Sequence, residues 1–294
     1  MRTRKYNLTL FSIIGFSLLI IYSISFITPM IWVLNSSLKQ EIDFMLETFA
    51  PVNFKTFYFG NYLDAFKLMK VPVVIDGNSY FIGFAEMMFN SVVYSVTCTI
   101  THTLVPCVTA YCVAKYKYKF SKLVYTIVII TLILPTIGNL ASSIQVSKWF
   151  HTYNSFLGLA VMKGYFIGTN FLIFYACFKG ISYEYTEAAE MDGASQLQIM
   201  LKVIFPLAKT TINAVALITF IAYWNDYTTP MIYLPSHPTI AYGLYYFCNT
   251  SNQTASFVTV RLSACMIVSV PILLVFIMFK NRIMGNMMVG GLKG

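Results

Sequence analysis

LTLFSIIGFSLLIIYSISFITPMIWVL, residues Leu8 to Leu34, carries no charged side chain. A helix rising about 1.5 Å per residue needs roughly 20 apolar residues to cross a hydrocarbon core about 30 Å thick. This stretch is long enough. Four more uncharged or nearly uncharged runs follow at Met87 to Ala114, Leu123 to Ile144, Thr211 to Leu234 and Leu262 to Phe279. A sixth, Phe156 to Phe178, qualifies if Lys163 is accommodated. The whole chain is 57% hydrophobic and 11% charged, against roughly 25% charged in soluble domains, so water is not its main solvent. The expected fold is all-α: a polytopic membrane protein of six transmembrane helices.

These runs are continuously apolar rather than alternating over about ten residues, which makes a barrel a poor alternative. Cys98, Cys107 and Cys112 fall inside the second run, with Cys177, Cys248 and Cys265 scattered, unlike a disulfide framework. The first run is too long for a signal-peptide core and lacks a small-residue cleavage site, so it stays in the mature protein. Arg2, Arg4 and Lys5 precede it and place the N-terminus in the cytoplasm. On that orientation the second-to-third connection, with Lys115, Lys117, Lys119 and Lys122 and no acid, is cytoplasmic. So is the tail carrying Lys280, Arg282 and Lys293, whereas Pro235 to Val260 is external and uncharged. The first external segment, Asn35 to Glu86, holds six acids and four lysines. Its aromatic run Phe54, Phe57, Tyr58, Phe59, Tyr62 and Phe66 suits interfacial anchoring, and Asn61 to Lys70 suits a short surface helix.

The net charge of +9 does not call for nucleic acid, because the cations adjoin spans where anionic headgroups account for them. The chain shows no zinc spacing, nucleophile motif or Gly-x-x-x-x-Gly-Lys-Ser/Thr loop. His102, His151 and His237 form no ligand constellation, so no metal is expected. The chain is read as a non-catalytic protein that binds no cofactor.

From Tyr183 to Gln198 the pattern reads helix, turn, helix. Glu184, Glu187, Ala188 and Ala189 favour helix, Gly193 permits a left-handed turn, and helix resumes from Ser195 to Ile204 before Pro206. Paired alanines give a low surface suited to insertion into a groove on another protein. Glu187-Ala188-Ala189, Asp192-Gly193-Ala194 and Ile204-Phe205-Pro206-Leu207 resemble the cytoplasmic loop of bacterial ATP-binding-cassette (ABC) importer permeases. The resemblance is closest to the MalG-like carbohydrate uptake branch. Ser36-Ser37-Leu38-Lys39, Lys280-Asn281-Arg282 with Gly285, and the Gly290 to Gly294 tail match the same branch.

The resemblance implies the type I importer fold (MetI-like) as a single permease domain over 1–294, with its core at about 86–280. It also implies an extracellular excursion at 35–85, a coupling loop at 180–208 and a cytoplasmic tail at 281–294. Glu187, Ala188, Ala189, Asp192, Gly193 and Ala194 are the implied contact with the ATPase, and Gly291, Lys293 and Gly294 the tail reaching the ATPase interface. The implied partners are a homologous second permease, a dimer of ABC ATPases that supply ATP and Mg chemistry, and an extracytoplasmic sugar-binding protein. The implied setting is the bacterial cytoplasmic membrane, and the implied cargo a sugar or oligosaccharide, or alternatively a peptide, phosphonate or other small solute. Two departures stand out. Thr210 occupies a position where the branch often has Pro, and Leu68 to Phe84 is longer than in compact relatives.

Lys163, Asn170, Asn225 and Asp226 lie in or near apolar runs, where ionised groups face protein, face a watery cavity or snorkel. Lys163 is open to all three. Trp224 is placed to stack on a sugar face while Asn225 and Asp226 bind hydroxyls. The Trp-Asn-Asp cluster resembles a feature shared across the sugar branch, which implies a structural or gating role.

Overall fold

The structure is a computed structural model and describes residues 10–75, 77–116, 118–134, 138–249 and 257–284. It divides into two compact units, 1–69 with 246–269 and 70–245 with 270–294.

The first unit holds α1 (Leu10–Ser37), α2 (Glu41–Leu46), α3 (Gly60–Leu68) and the beginning of a long helix from Val258. Its centre is polar and tied by hydrogen bonds. Buried Asn61 donates to the Ser37 carbonyl (2.9 Å) and the Lys39 carbonyl (2.6 Å), and buried Ser263 donates to Ser37 O (3.1 Å). Lys39 is buried too, and its ammonium donates to the carbonyls of Glu47 (2.9 Å) and Ala50. The Ser36-Ser37-Leu38-Lys39 motif is thus the turn on which this unit is assembled. The Glu41 carboxylate accepts from the Val258 and Thr259 N–H groups (3.1 and 3.0 Å). It satisfies two of the amides that a helix start leaves without partners.

The second unit opens with β1 (Val71–Ile75) and β2 (Asn78–Ile82), an antiparallel hairpin in register Val71↔Ile82 to Ile75↔Asn78. It corrects a purely helical reading. Asp76-Gly77 between β-branched and aromatic runs is a two-residue hairpin signal, and Gly77 has φ +80°. Then follow α4 (Phe84–Lys115), α5 (Ser121–Ile133), α6 (Leu140–Trp149), α7 (Phe156–Lys163), α8 (Thr169–Gly180) and α9 (Glu184–Met191). The chain continues through α10 (Gln196–Gln198), a π-helical turn at Ile199–Ile204, α11 (Phe205–Leu207), α12 (Lys209–Asn225) and α13 (Thr228–Tyr233). It ends with α14 (Ile240–Asn249) and α15 (Val258–Met284).

The axis of this unit is α4, against which α7, α8 and α12 pack. Two of its hydroxyls fold back on the helix, Thr97 onto Val93 O (2.7 Å) and Thr109 onto Val105 O (2.8 Å), which satisfies those two without water. Gly243 lets α14 come close, because a Cβ there would collide with the Met87 thioether.

Among the described residues, three helices are long and apolar enough to cross a membrane: Ser12–Ser37, Phe84–Lys115 and Val258–Met278. A fourth arises if Gln196–Leu207 and Lys209–Asn225, bent by 77°, are one span. The other expected spans are broken, so six continuous helices are not what forms. The Leu123 to Ile144 run stops at Ile133. Leu134 is extended (ψ 123°), as a residue before proline prefers, and Gly138 has φ +80°. The Phe156 to Phe178 run breaks between α7 and α8, where Gly168 sits at φ 143°. The Thr211 to Leu234 run breaks at Asp226, which leaves the helix (ψ 110°).

Candidate functional site

Two features of the second unit can carry function. The first is the segment from Glu184 to Leu207. After α9 the chain turns back through Gly193 at φ +75°. The Gly193 N–H reaches Glu190 O and the Ala194 N–H reaches Ala189 O, both at 3.0 Å. This is the Schellman arrangement, in which a glycine with positive φ lets two otherwise unpaired carbonyls be satisfied. Ser195 then caps the next helix, accepting from Gln198 N (3.4 Å) while Gln198 Oε1 accepts from Ser195 N (2.9 Å). Gln196 crosses back to the Glu190 carboxylate (2.9 Å), and the Tyr116 hydroxyl donates to Gln196 Oε1 (2.9 Å). The turn is braced on both sides.

Pro206 has no N–H for the Lys202 carbonyl and its ring crowds that carbonyl. The turn ahead of it is wound as π-helix. Buried Ile199 and Ile204 from that turn join Tyr111, Phe174 and Phe178, with Ala189, Ala194 and Phe205 packed on the cluster. Phe178 stacks on Phe205 (6.0 Å) and Tyr111 meets both rings edge-on. The Lys115 ammonium, at the end of α4, donates to Ile181 O (2.6 Å). One face of the segment is therefore fixed to α4 and α8. Its other face is open: Glu187, Ala188, Asp192 and Gly193 are exposed, and Met191 is 88% exposed. Of the predicted contact residues, Ala189 and Ala194 face inward and the other four outward.

The second feature is a cavity of about 350 Å³ at the breaks after α7 and α12, lined by His102, Lys163, Tyr165, Asn170, Tyr223 and Asp226 among others. His102 Nδ1 pairs with the Tyr223 hydroxyl (2.7 Å), and Asn170 donates to His102 O (3.3 Å) and Thr219 Oγ1 (3.4 Å). The Lys163 ammonium lies 6.0 Å from the Tyr223 ring centre. Asp226 accepts from the Tyr94 hydroxyl through Oδ2 (2.9 Å) and from Thr229 N–H through Oδ1 (3.0 Å). It thereby ties α4 to the start of α13.

The structure brings Lys163, Asn170 and Asp226 together and separates Trp224 and Asn225 from them. Trp224 is buried, stacks on Phe220 (5.9 Å) and lines a different, apolar cavity with Met88, Val92 and Val96. Asn225 is exposed and folds onto Ile221 O (2.9 Å). Tyr94, His102, Tyr165 and Tyr223 were not singled out for this role. Thr219, Tyr223 and Asp226 recur at helical spacing in an apolar run, a signal that marks one face. Gly291, Lys293 and Gly294 lie outside the described residues.

A polytopic helical membrane protein with a braced, outward-facing helix–turn–helix and a polar cavity between broken helices is the class these features define. The chain belongs to the family described as binding-protein-dependent transport system inner membrane component, whose model matches residues 104–286. It is similar to the diacetylchitobiose uptake system permease protein NgcG of Streptomyces coelicolor, at 27% identity over 283 residues, covering 95% of this chain and 88% of that one. It is also similar to the sn-glycerol-3-phosphate transport system permease protein UgpE of Escherichia coli, at 26% identity over 204 residues, covering 69% and 72%. A chain in the crystal structure of a bacterial ABC transporter involved in import of the acidic polysaccharide alginate superposes with a TM-score of 0.71. That alignment, at 22% identity, covers 96% of this chain and 99% of the other, and shows that the fold is shared.

Proposed function

We propose that this chain is one permease half of an ATP-driven, binding-protein-dependent importer of a sugar or oligosaccharide. It pairs with a homologous second permease, two ABC ATPases at the cytoplasmic face and an extracytoplasmic binding protein. The observation that carries the reading is the 184–207 segment, open on the face of Glu187, Ala188 and Met191 and anchored through Ile199 and Ile204 to α4 and α8. A segment held this way transmits a push from a docked ATPase to the spans as a rigid lever.

Closure of the ATPases around ATP moves that lever and converts the transmembrane pair from inward-open to outward-open. Hydrolysis then returns it and releases cargo inward. The two states are biased by differential contacts, as alternating access requires. The names of the relatives NgcG and UgpE support a polyhydroxylated cargo, and UgpE also supports a second reading as a permease for a small phosphorylated solute. The broken runs are the third to fifth of six crossings, with both termini cytoplasmic. In this reading the Gly291, Lys293 and Gly294 tail enters the ATPase interface.

The test is nucleotide hydrolysis by the reconstituted complex with its binding protein and a panel of glycans, using wild type, Glu187→Ala and Gly193→Pro. Glycan-stimulated hydrolysis that the variants lose supports the reading. Assembly without ATPase subunits, or variants as active as wild type, sinks it.

A further inference from the structure

We infer that the cavity between α4, α7, α8 and α12 receives an anionic group of the transported solute, a carboxylate or phosphate ester on a polyhydroxylated molecule, with Lys163 as its charge partner. The inference rests on the importer reading above and deepens it.

The reasoning is a charge count within one cavity. Lys163 and Asp226 both line it. Asp226 is committed, one oxygen to the Tyr94 hydroxyl and the other to the Thr229 N–H. Lys163 is not. Its ammonium lies over the Tyr223 ring at 6.0 Å, and among the described residues it has no hydrogen-bond acceptor or carboxylate within bonding distance. A cation inside a spanning region is costly and faces a partner or a watery path. Here the long stem does not lead the charge away from the cavity, so snorkelling does not describe it.

The remaining lining suits a hydroxylated molecule. The Tyr165 ring, 44% exposed, offers a flat face of the kind on which a sugar ring stacks, and His102 tilts against it at 4.9 Å. Asn170 and Tyr223 add polar edges. A cavity of about 350 Å³ is at the small end of ligand pockets, roughly 300–1,000 Å³.

The experiment uses proteoliposomes of the full complex with its binding protein and three probes: digalacturonate, sn-glycerol-3-phosphate and neutral N,N′-diacetylchitobiose. Uptake and hydrolysis are read for wild type, Lys163→Gln, Lys163→Arg and Tyr165→Glu, the last placing a negative charge at the exposed rim without touching Lys163. The expected result is stimulation by an anionic probe, a loss of its uptake of about tenfold or more in Lys163→Gln and Tyr165→Glu, and retention in Lys163→Arg. Uronate against phosphate response identifies the anion. Stimulation by the neutral probe alone, or anionic uptake unchanged by both Lys163→Gln and Tyr165→Glu, overturns the inference while leaving the importer reading intact. Failure of every probe to stimulate the assembled complex removes the saccharide reading and this inference with it.

Discussion

Asp226 and Gly193 show how much a single residue decides here. Each Asp226 oxygen is held by a donor from a different element, the Tyr94 hydroxyl and the Thr229 N–H. Asp226→Ala strands the hydroxyl of Tyr94, which is 1% exposed. Leaving a buried donor unsatisfied costs about 1–3 kcal/mol, so the purified complex is expected to lose thermal stability by an amount in that range. Asp226→Asn keeps an acceptor, and should impair transport without altering the substrate preference of what survives. Competition uptake with paired solutes checks this, and a clean change of preference would contradict the structural role. Lys163 and Asp226 stand out in the sequence because a charge in an apolar run faces protein, a watery cavity or the headgroups, and both line one cavity. Trp224 and Asn225 stand apart from that cavity for a reason of geometry. Consecutive helical residues point about 100° apart, so Tyr223 and Asp226 share the cavity face while the two between them turn away.

At the scale of elements, the 184–207 segment was readable almost residue by residue. Its signals are local: helix formers, a glycine where φ must be positive, then a serine followed three residues later by glutamine. Ser195→Ala removes one half of that capping box and is expected to cost about 1 kcal/mol. Faster amide exchange confined to Gln196–Ile199, with α4 and α8 unchanged, is the measurement; no change there would show that packing of Ile199 alone holds the helix. Gly193→Ala meets no steric obstacle, since nothing lies within 4 Å of its Cβ position. It pays only for the left-handed conformation, roughly 1–2 kcal/mol. Weakened but measurable coupling is expected, against complete loss in Gly193→Pro, whose ring fixes φ near −65° and removes the N–H bound to Glu190 O. Equal hydrolysis by the two variants would show that the turn does not transmit force. The broken spans were less legible because hydropathy counts apolar residues and is blind to backbone direction. Gly168, Gly138 and Asp226 interrupt helices while barely lowering the average. The hairpin went unassigned although Asp76-Gly77 announced it, because its strands are short beside the spans around them.

At the scale of the whole molecule, orientation follows from where cations are kept out of the external side, and the 184–207 segment must share a face with them if it docks an ATPase. Lys115, Lys117, Lys119 and Lys122 cluster in one connection, and Pro235 to Val260 has no charge at all. In the proposed orientation the positive-inside rule sets that connection in the cytoplasm and, if the two runs after it each cross, the segment carrying Asp192 with it. The same proposed orientation puts the hairpin carrying Ser79 outside. Both residues are exposed, so a cysteine placed at either is open to a membrane-impermeant maleimide if its side of the membrane is. With the native background measured in parallel, Ser79→Cys is expected to label in spheroplasts with intact membranes, and Asp192→Cys only after permeabilisation. The helix count enters the same experiment. An even number of crossings between the two sites would put them on one side, so that intact spheroplasts label both, which removes the docking face from the ATPases, or neither, which puts the hairpin in the cytoplasm. The opposite pattern, Asp192→Cys labelled first, would invert the chain and leave its lysines outside. The expected pattern requires an odd number of crossings between the two sites, as when the interrupted runs at 121–149 and 156–180 both cross beside α4, so like labelling of the two sites would show that just one of those broken runs spans.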